Sequence, residues 1–235
     1  MSNNLSGNPR DKLHGPASGI LLVISLLILR QMLKASLPLG WDLGIIIGAI
    51  LLVFPAVWLG RVVLDRDPTS SGVVWITTFV HYSLLVLFGS AIIRAILSHQ
   101  EWDGWALPVP EPVGRALVIL FSAACVLSVC NLALKGLGAP FAIALSQKLA
   151  MDWMYGWTRN PMVLASLALL TSLGIWYQST LFVAWALFLV SPALLFFVKV
   201  YEERELEIRF GAAYLEYKSK TPMLLPRKPH GGNAG

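Results

Sequence analysis

Apolar residues fall into six long runs separated by short polar stretches, at 17–36, 43–64, 73–97, 113–134, 162–177 and 180–200. A helix rises 1.5 Å per residue, so roughly 20 apolar residues cross a hydrocarbon core about 30 Å thick. The runs show no period-two alternation of the barrel type, and a helix satisfies its own backbone donors and acceptors in lipid. The pattern therefore predicts an all-α, polytopic transmembrane bundle of about six spans. The first run is flanked by Arg10 and Lys12, as a secretory leader would be, but Arg30 and Lys34 follow at once and no small-residue cleavage site stands out. It reads as a retained helix whose Arg30 snorkels or faces a partner helix.

The intervening segments divide the chain. Residues 1–16 are polar and predict a disordered tail. Asp65 to Gly72, with Pro68, reads as a turn between the second and third spans. The stretch 98–112 carries Pro108, Pro110 and Pro112, with Trp102 and Trp105 suited to the headgroup belt. Residues 17–134 thus form an N-terminal set of transmembrane helices. A second region, 135–226, opens on Gly136, Gly138 and Pro140 and predicts a re-entrant or interfacial piece before the last hairpin. Non-helical backbone at membrane depth is tolerated only in protein or beside a cavity. Residues 227–235 read as a flexible tail.

Composition excludes a soluble globular chain, with 13% charged residues and a mean hydropathy of +0.67. With both termini in the cytoplasm, 14 of the 18 Lys and Arg residues fall inside. Only Arg30, Lys34, Arg94 and Arg115 fall outside. The net charge of +5 is therefore a topology signal that needs no nucleic-acid partner, although a basic tail suits anionic lipid headgroups. Cys125 and Cys130 read as packing residues, and no Cys/His spacing suits a metal. His81, alone among apolar neighbours, reads as a core or interface residue.

Candidate chemistry concentrates at the two ends of the last hairpin. Asn160 is a good N-cap and Pro161 a good first helical residue, so Arg159-Asn160-Pro161 opens the fifth span by ordinary rules. The same corner aims Arg159 and a helix N-terminus at one membrane face, where they suit an anionic group. Asp152, Trp153 and Tyr155 precede it. Glu202 and Glu203 close the sixth span, and adjacent residues point about 100° apart, so one of the two faces inward. A solvated helix end with internal pairs such as Glu205 to Arg209 is the plainer reading. Leu206, Phe210, Ala213 and Tyr217 then repeat at helical spacing, predicting an amphipathic C-terminal helix over the hairpin's open end.

In order and spacing, Leu137-Gly138-Ala139-Pro140-Phe141, Tyr155-Gly156, Arg159-Asn160-Pro161, Glu202-Glu203 and Phe210-Gly211-x-x-Tyr214-x-x-Tyr217 resemble the integral-membrane methyltransferases. That family includes isoprenylcysteine carboxyl methyltransferase and the phospholipid N-methyltransferases. The resemblance covers roughly residues 135–226. It implies S-adenosyl-L-methionine in a cytosol-facing pocket under the C-terminal helix. Tyr155, Gly156, Arg159, Asn160, Pro161, Glu202 and Glu203 would surround it, with Arg159 and Glu203 as the catalytic pair. It also implies a lipophilic or lipidated acceptor, either a prenylcysteine-type carboxylate or a lipid headgroup amine, arriving laterally from the membrane lipids. The family's Tyr and Gly after the Arg corner are Val163 and Ala165 here, its Gly-stretch Thr is Ala139, and the Val or Tyr before the Arg is Thr158.

Two other readings stand beside this one. A membrane sterol or steroid reductase would use a nicotinamide cofactor, but the Asn-Tyr pair expected after the Arg is missing. A non-catalytic relative would have lost function with the Tyr and Gly positions.

Overall fold

A computed structural model describes residues 9–102, 105–136 and 149–228. Its elements are α1 (Pro9–Lys34), α2 (Leu39–Arg66), α3 (Ser70–Trp102), α4 (Glu111–Asn131), the short α5 (Met154–Trp157), α6 (Pro161–Trp176), α7 (Thr180–Phe210) and α8 (Ala212–Lys220). Among the described residues, five helices are long and apolar enough to cross a membrane, and the fifth apolar run instead forms α6, a 16-residue helix. At 1.5 Å per residue α6 is about 24 Å long, shorter than the hydrocarbon core. Helix α1 begins at Pro9, inside the segment 1–16 expected to be disordered. Residues 137–148, where the expected re-entrant piece and the Gly138-Ala139-Pro140 stretch fall, lie outside the described residues.

Polar contacts fix the relative directions of the helices. Gly60 meets Val80, and Asp42 meets Arg94, so α2 and α3 are antiparallel. His14 meets Thr78 and Ser18 meets Tyr82, so α1 runs parallel to α3. Cys125 faces Ser166 on α6, and Gly114 meets Trp176; a Cβ on Gly114 would sit 2.5 Å from Trp176 backbone, so only glycine permits this approach of α4 to α6. Trp185 Nε1 donates to the Ile46 carbonyl and Arg61 Nη1 to that of Val200, so α7 lies parallel to α2. The start of α1, end of α2, end of α4, start of α6 and end of α7 therefore share one face of the bundle. Arg61, Arg66, Arg159 and the basic residues after Lys199 lie at that face.

Arg94, expected as a basic residue at the opposite face, is buried in protein. Its Nε donates to Asp42 at 2.5 Å and its Nη1 to the carbonyls of Met32 and Ala35, which ties the end of α1 and the start of α2 to α3. The core lies between α2, α3 and α7, with Ile46, Ile50, Val53, Val57, Phe182, Ala193 and Tyr201 essentially inaccessible. Large apolar side chains on the outer faces of α1 and α4, such as Ile20, Val23, Ile119 and Val126, are exposed where lipid would cover them.

Helix α7 is not uniform. It widens into π turns at Ala186–Val190 and Val198–Glu202. The first precedes Pro192, which lacks a backbone donor, and Ser191 Oγ donates to the carbonyl of Ala186 there. The second sits directly before the Glu pair. The amphipathic stretch expected after it is two helices, because Gly211 adopts φ 53° and ψ −129° and breaks the run. That backbone is open to glycine and costly for residues with a Cβ.

Candidate functional site

A cavity of about 520 Å³ opens between α3, α4, α6 and α7. Its inner walls are apolar, from Phe88 and Ile92 on α3 to Leu170 and Leu173 on α6 and Val190 and Leu194 on α7. Its other end is polar, bordered by Tyr155, Arg159, Asn160, Glu202, Glu205 and Arg209. Long apolar walls leading to a few convergent polar groups are what a ligand with a hydrocarbon part and a charged part requires.

The Glu pair is split by the helix turn. Glu202 lines the cavity, and no cation or hydrogen-bond donor sits on its carboxylate among the described residues. Glu203 points the other way and is only 4% exposed at its side chain. Arg159 Nη2 donates to its Oε1 at 2.6 Å, while Lys218 and Lys199 reach its Oε2 at 2.8 and 3.2 Å. Both oxygens of Glu203 are thus engaged within the protein. Lys218 also reaches Glu207 at 2.9 Å. Burial opposes the Lys218 charge, but Glu203 and Glu207 outweigh it and hold the ammonium above its usual range.

Arg159 acts as a clamp. Its Nη1 donates to the carbonyls of Lys218 and Thr221 at 2.7 and 2.8 Å, and its backbone N–H to that of Pro222 at 2.9 Å. These bonds satisfy the C-terminal end of α8 and hold it against the start of α6. Among the described residues, the buried Nε–H of Arg159 is left without a partner.

Asn160 holds the N-cap position of α6 but makes no side-chain cap. Its Nδ2 donates to the Met223 carbonyl at 2.9 Å, and Thr158 Oγ1 donates to the same carbonyl at 3.1 Å. The corner is therefore braced against the C-terminal exit strand; there Arg227, in the expected flexible tail, donates its N–H to the Trp157 carbonyl at 3.0 Å. Tyr155 is buried on the cavity wall, and Tyr217 Oη donates to its carbonyl at 2.7 Å. Burial, with Glu202 nearby, raises the Tyr155 phenol well above its ordinary value. Burial likewise raises Tyr217 and Tyr214. Trp153, just before α5, holds a left-handed φ of 54°, a strained backbone beside this wall.

Of the sequence-derived candidates, Tyr155, Arg159, Asn160 and Glu202 border the cavity together. Glu203 backs Arg159 instead. Gly156 does not line the cavity, and Pro161 lines a separate apolar groove with Trp157 and Leu164. From the sequence, Glu205 and Arg209 read as a plain helix pair. They do pair, at 2.5 Å, but on the cavity wall. His81 reads from the sequence as a core or interface residue, and it borders the cavity. A lone ionisable group within an apolar span was the signal available for it.

Over residues 111–213 the chain matches the model of the phospholipid methyltransferase family. No curated protein and no solved structure matches it. The matched stretch runs from α4 into α8 and contains both the Arg-Asn-Pro corner and the Glu pair, so the resemblance to membrane methyltransferases holds there. Methyl transfer at a membrane is the activity this family implies.

Proposed function

We propose that this integral membrane protein transfers a methyl group from S-adenosyl-L-methionine to a lipophilic acceptor, with both substrates in the 520 Å³ cavity. The observation that carries this reading is that Glu202, with no partner on its carboxylate among the described residues, and the Arg159 guanidinium border the same polar end of the cavity. A zwitterionic amino-acid group fits that donor and acceptor set. Glu202 would take its ammonium, Arg159 its carboxylate, and Tyr155 and Asn160 would border the remainder. The bound cofactor would supply an electrophilic methyl group on a sulfonium.

The protein's part is chiefly alignment, because methyl transfer is an in-line displacement and orienting the reactants lowers the barrier by several kcal/mol. The Arg159 clamp fixes α6 and α8, which sets the polar wall. The apolar walls would hold the acceptor's hydrocarbon and exclude water. The face bearing the polar end would be cytosolic by its concentration of basic residues, with the N terminus on the same side. Methyl-labelled cofactor supplied to the full chain in lipid nanodiscs, with long-chain amine and carboxylate acceptors, tests this reading. Label recovered in an extractable lipid product supports it. Absence of transfer to either class, with no binding of the cofactor, contradicts it.

A further inference from the structure

Along α3 the cavity wall reads His81, Leu84, Phe88, Ile92, so His81 is the polar residue that α3 contributes. Its height in the cavity is fixed by neighbouring contacts. Thr77 Oγ1 and Tyr201 Oη lie 3.0 Å apart, and one turn further along α3 the His81 ring packs edge-on against Phe197 at 5.4 Å. Beyond Phe197, α7 lines the cavity with Leu194 and Val190; in the other direction come Glu202, Glu205 and Arg209. His81 therefore stands where the polar end meets the apolar shaft, which is where methyl donor and acceptor must meet.

The ring is also oriented. His81 Nδ1 lies 2.8 Å from the Thr77 carbonyl. A carbonyl only accepts, so Nδ1 carries the hydrogen and, in the neutral ring, Nε2 carries the lone pair. Nε2 has no partner among the described residues. From α7, Glu205 and Arg209 act electrostatically on the ring, and Glu202 borders the same space. Arg159, Tyr155 and Tyr217 border it from the α5–α6 corner and α8, and Cys125 from α4.

We propose that His81 is the base that takes the proton from the acceptor's reacting atom. The proposal rests on the methyl-transfer reading and names its acceptor class, an amphiphile whose reacting heteroatom carries a proton, as a protonated amine does. The acceptor heteroatom yields its proton to Nε2, and its lone pair forms the new bond to the methyl carbon. The carbon–sulfur bond of the sulfonium donor breaks, and its electron pair stays on sulfur as a thioether. The imidazolium then releases its proton to water at the polar end. A carboxylate acceptor arrives without a proton and has no use for this step.

The full chain in lipid nanodiscs is treated with diethyl pyrocarbonate and mapped by mass spectrometry. His81 should be modified, and S-adenosylhomocysteine with dodecylamine should protect it. In parallel, kcat/KM for dodecylamine should rise with pH along a limb that His81→Gln abolishes, with a loss of about 100-fold or more at neutral pH. Failure of His81 to react while other histidines do overturns the proposal, as does an acidic limb that survives in His81→Gln. If that variant does not fold, a wild-type profile flat across the acid-to-neutral range overturns it equally. Calorimetric titration with the cofactor separates the two claims. Wild type that binds none overturns the methyl-transfer reading itself, whereas binding by both proteins with an unchanged pH limb overturns the role of His81 alone.

Discussion

Glu203 lies 2.6 Å from Arg159 Nη2, while Glu202, one residue earlier, faces the cavity with no partner among the described residues. The two carboxylates therefore have separable roles, Glu203 in holding the corner and Glu202 in meeting a ligand.

Glu203→Ala should strongly destabilise the protein. Removing it leaves the buried Arg159 guanidinium without its counter-charge, and breaking such a pair costs about 3–5 kcal/mol. Glu202→Gln replaces an unpartnered carboxyl group in a partly enclosed site by a neutral amide of the same shape and should leave the unfolding temperature unchanged or higher. Thermal unfolding of the two variants in the same detergent checks the contrast, and equal losses would contradict it.

Asp42→Ala should be as damaging at the far end of the bundle, since Arg94 is 4% exposed at its side chain and depends on Asp42. The double variant Asp42→Leu/Arg94→Met should recover part of that loss, because an apolar pair removes both charges together. Cofactor affinity should be unchanged in the double variant, as neither residue borders the cavity. Unfolding and calorimetric titration of the single and double variants test both statements.

Gly211→Ala should cost about 1–2 kcal/mol, because the position needs a φ of 53° that a Cβ disfavours, although nothing lies within 4 Å of the added atom. A loss of that size in an unfolding measurement supports backbone strain. An unaffected variant would show that the break between α7 and α8 relaxes without cost.

Tyr155, Tyr214 and Tyr217 should resist ionisation in the folded protein. Burial raises their pKa above the ordinary 10.0, so the folded state holds these protons more tightly than the unfolded state does. The stability linked to them is fully present below about pH 10 and is lost as pH rises past it. Absorbance at the phenolate wavelength should show these tyrosines titrating only together with alkaline unfolding. Tyr217→Phe, which deletes the donor to the Tyr155 carbonyl, should cost on the order of 1 kcal/mol.

Much of the helical layout was legible, because long apolar runs can satisfy their backbone in lipid only as helices. The turn at Asp67-Pro68 followed from its composition, and Thr69 Oγ1 does bridge it by donating to Asp67 at 2.6 Å. The ends of helices were less legible. Helix α3 runs on to Trp102 because its polar last turn stays helical beyond the apolar run. Pairings distant in sequence left no local mark. Arg94 finds Asp42 52 residues away, and Arg159 finds Glu203 44 residues away. Asn160 does hold the N-cap position that the sequence predicts, but its side chain bonds the Met223 carbonyl, far along the chain, instead of capping the helix. His81 could not be placed on a cavity wall until the packing of α3 against α7 was known.

The most direct test is calorimetric titration of S-adenosyl-L-methionine into full-length wild type and Glu202→Gln in lipid nanodiscs. Saturable binding by wild type, weakened about 10- to 100-fold in a variant that unfolds no earlier, is the predicted result for a charge-assisted contact to the cofactor. Folded wild type that binds no cofactor, or Glu202→Gln that binds as tightly as wild type, would contradict the account.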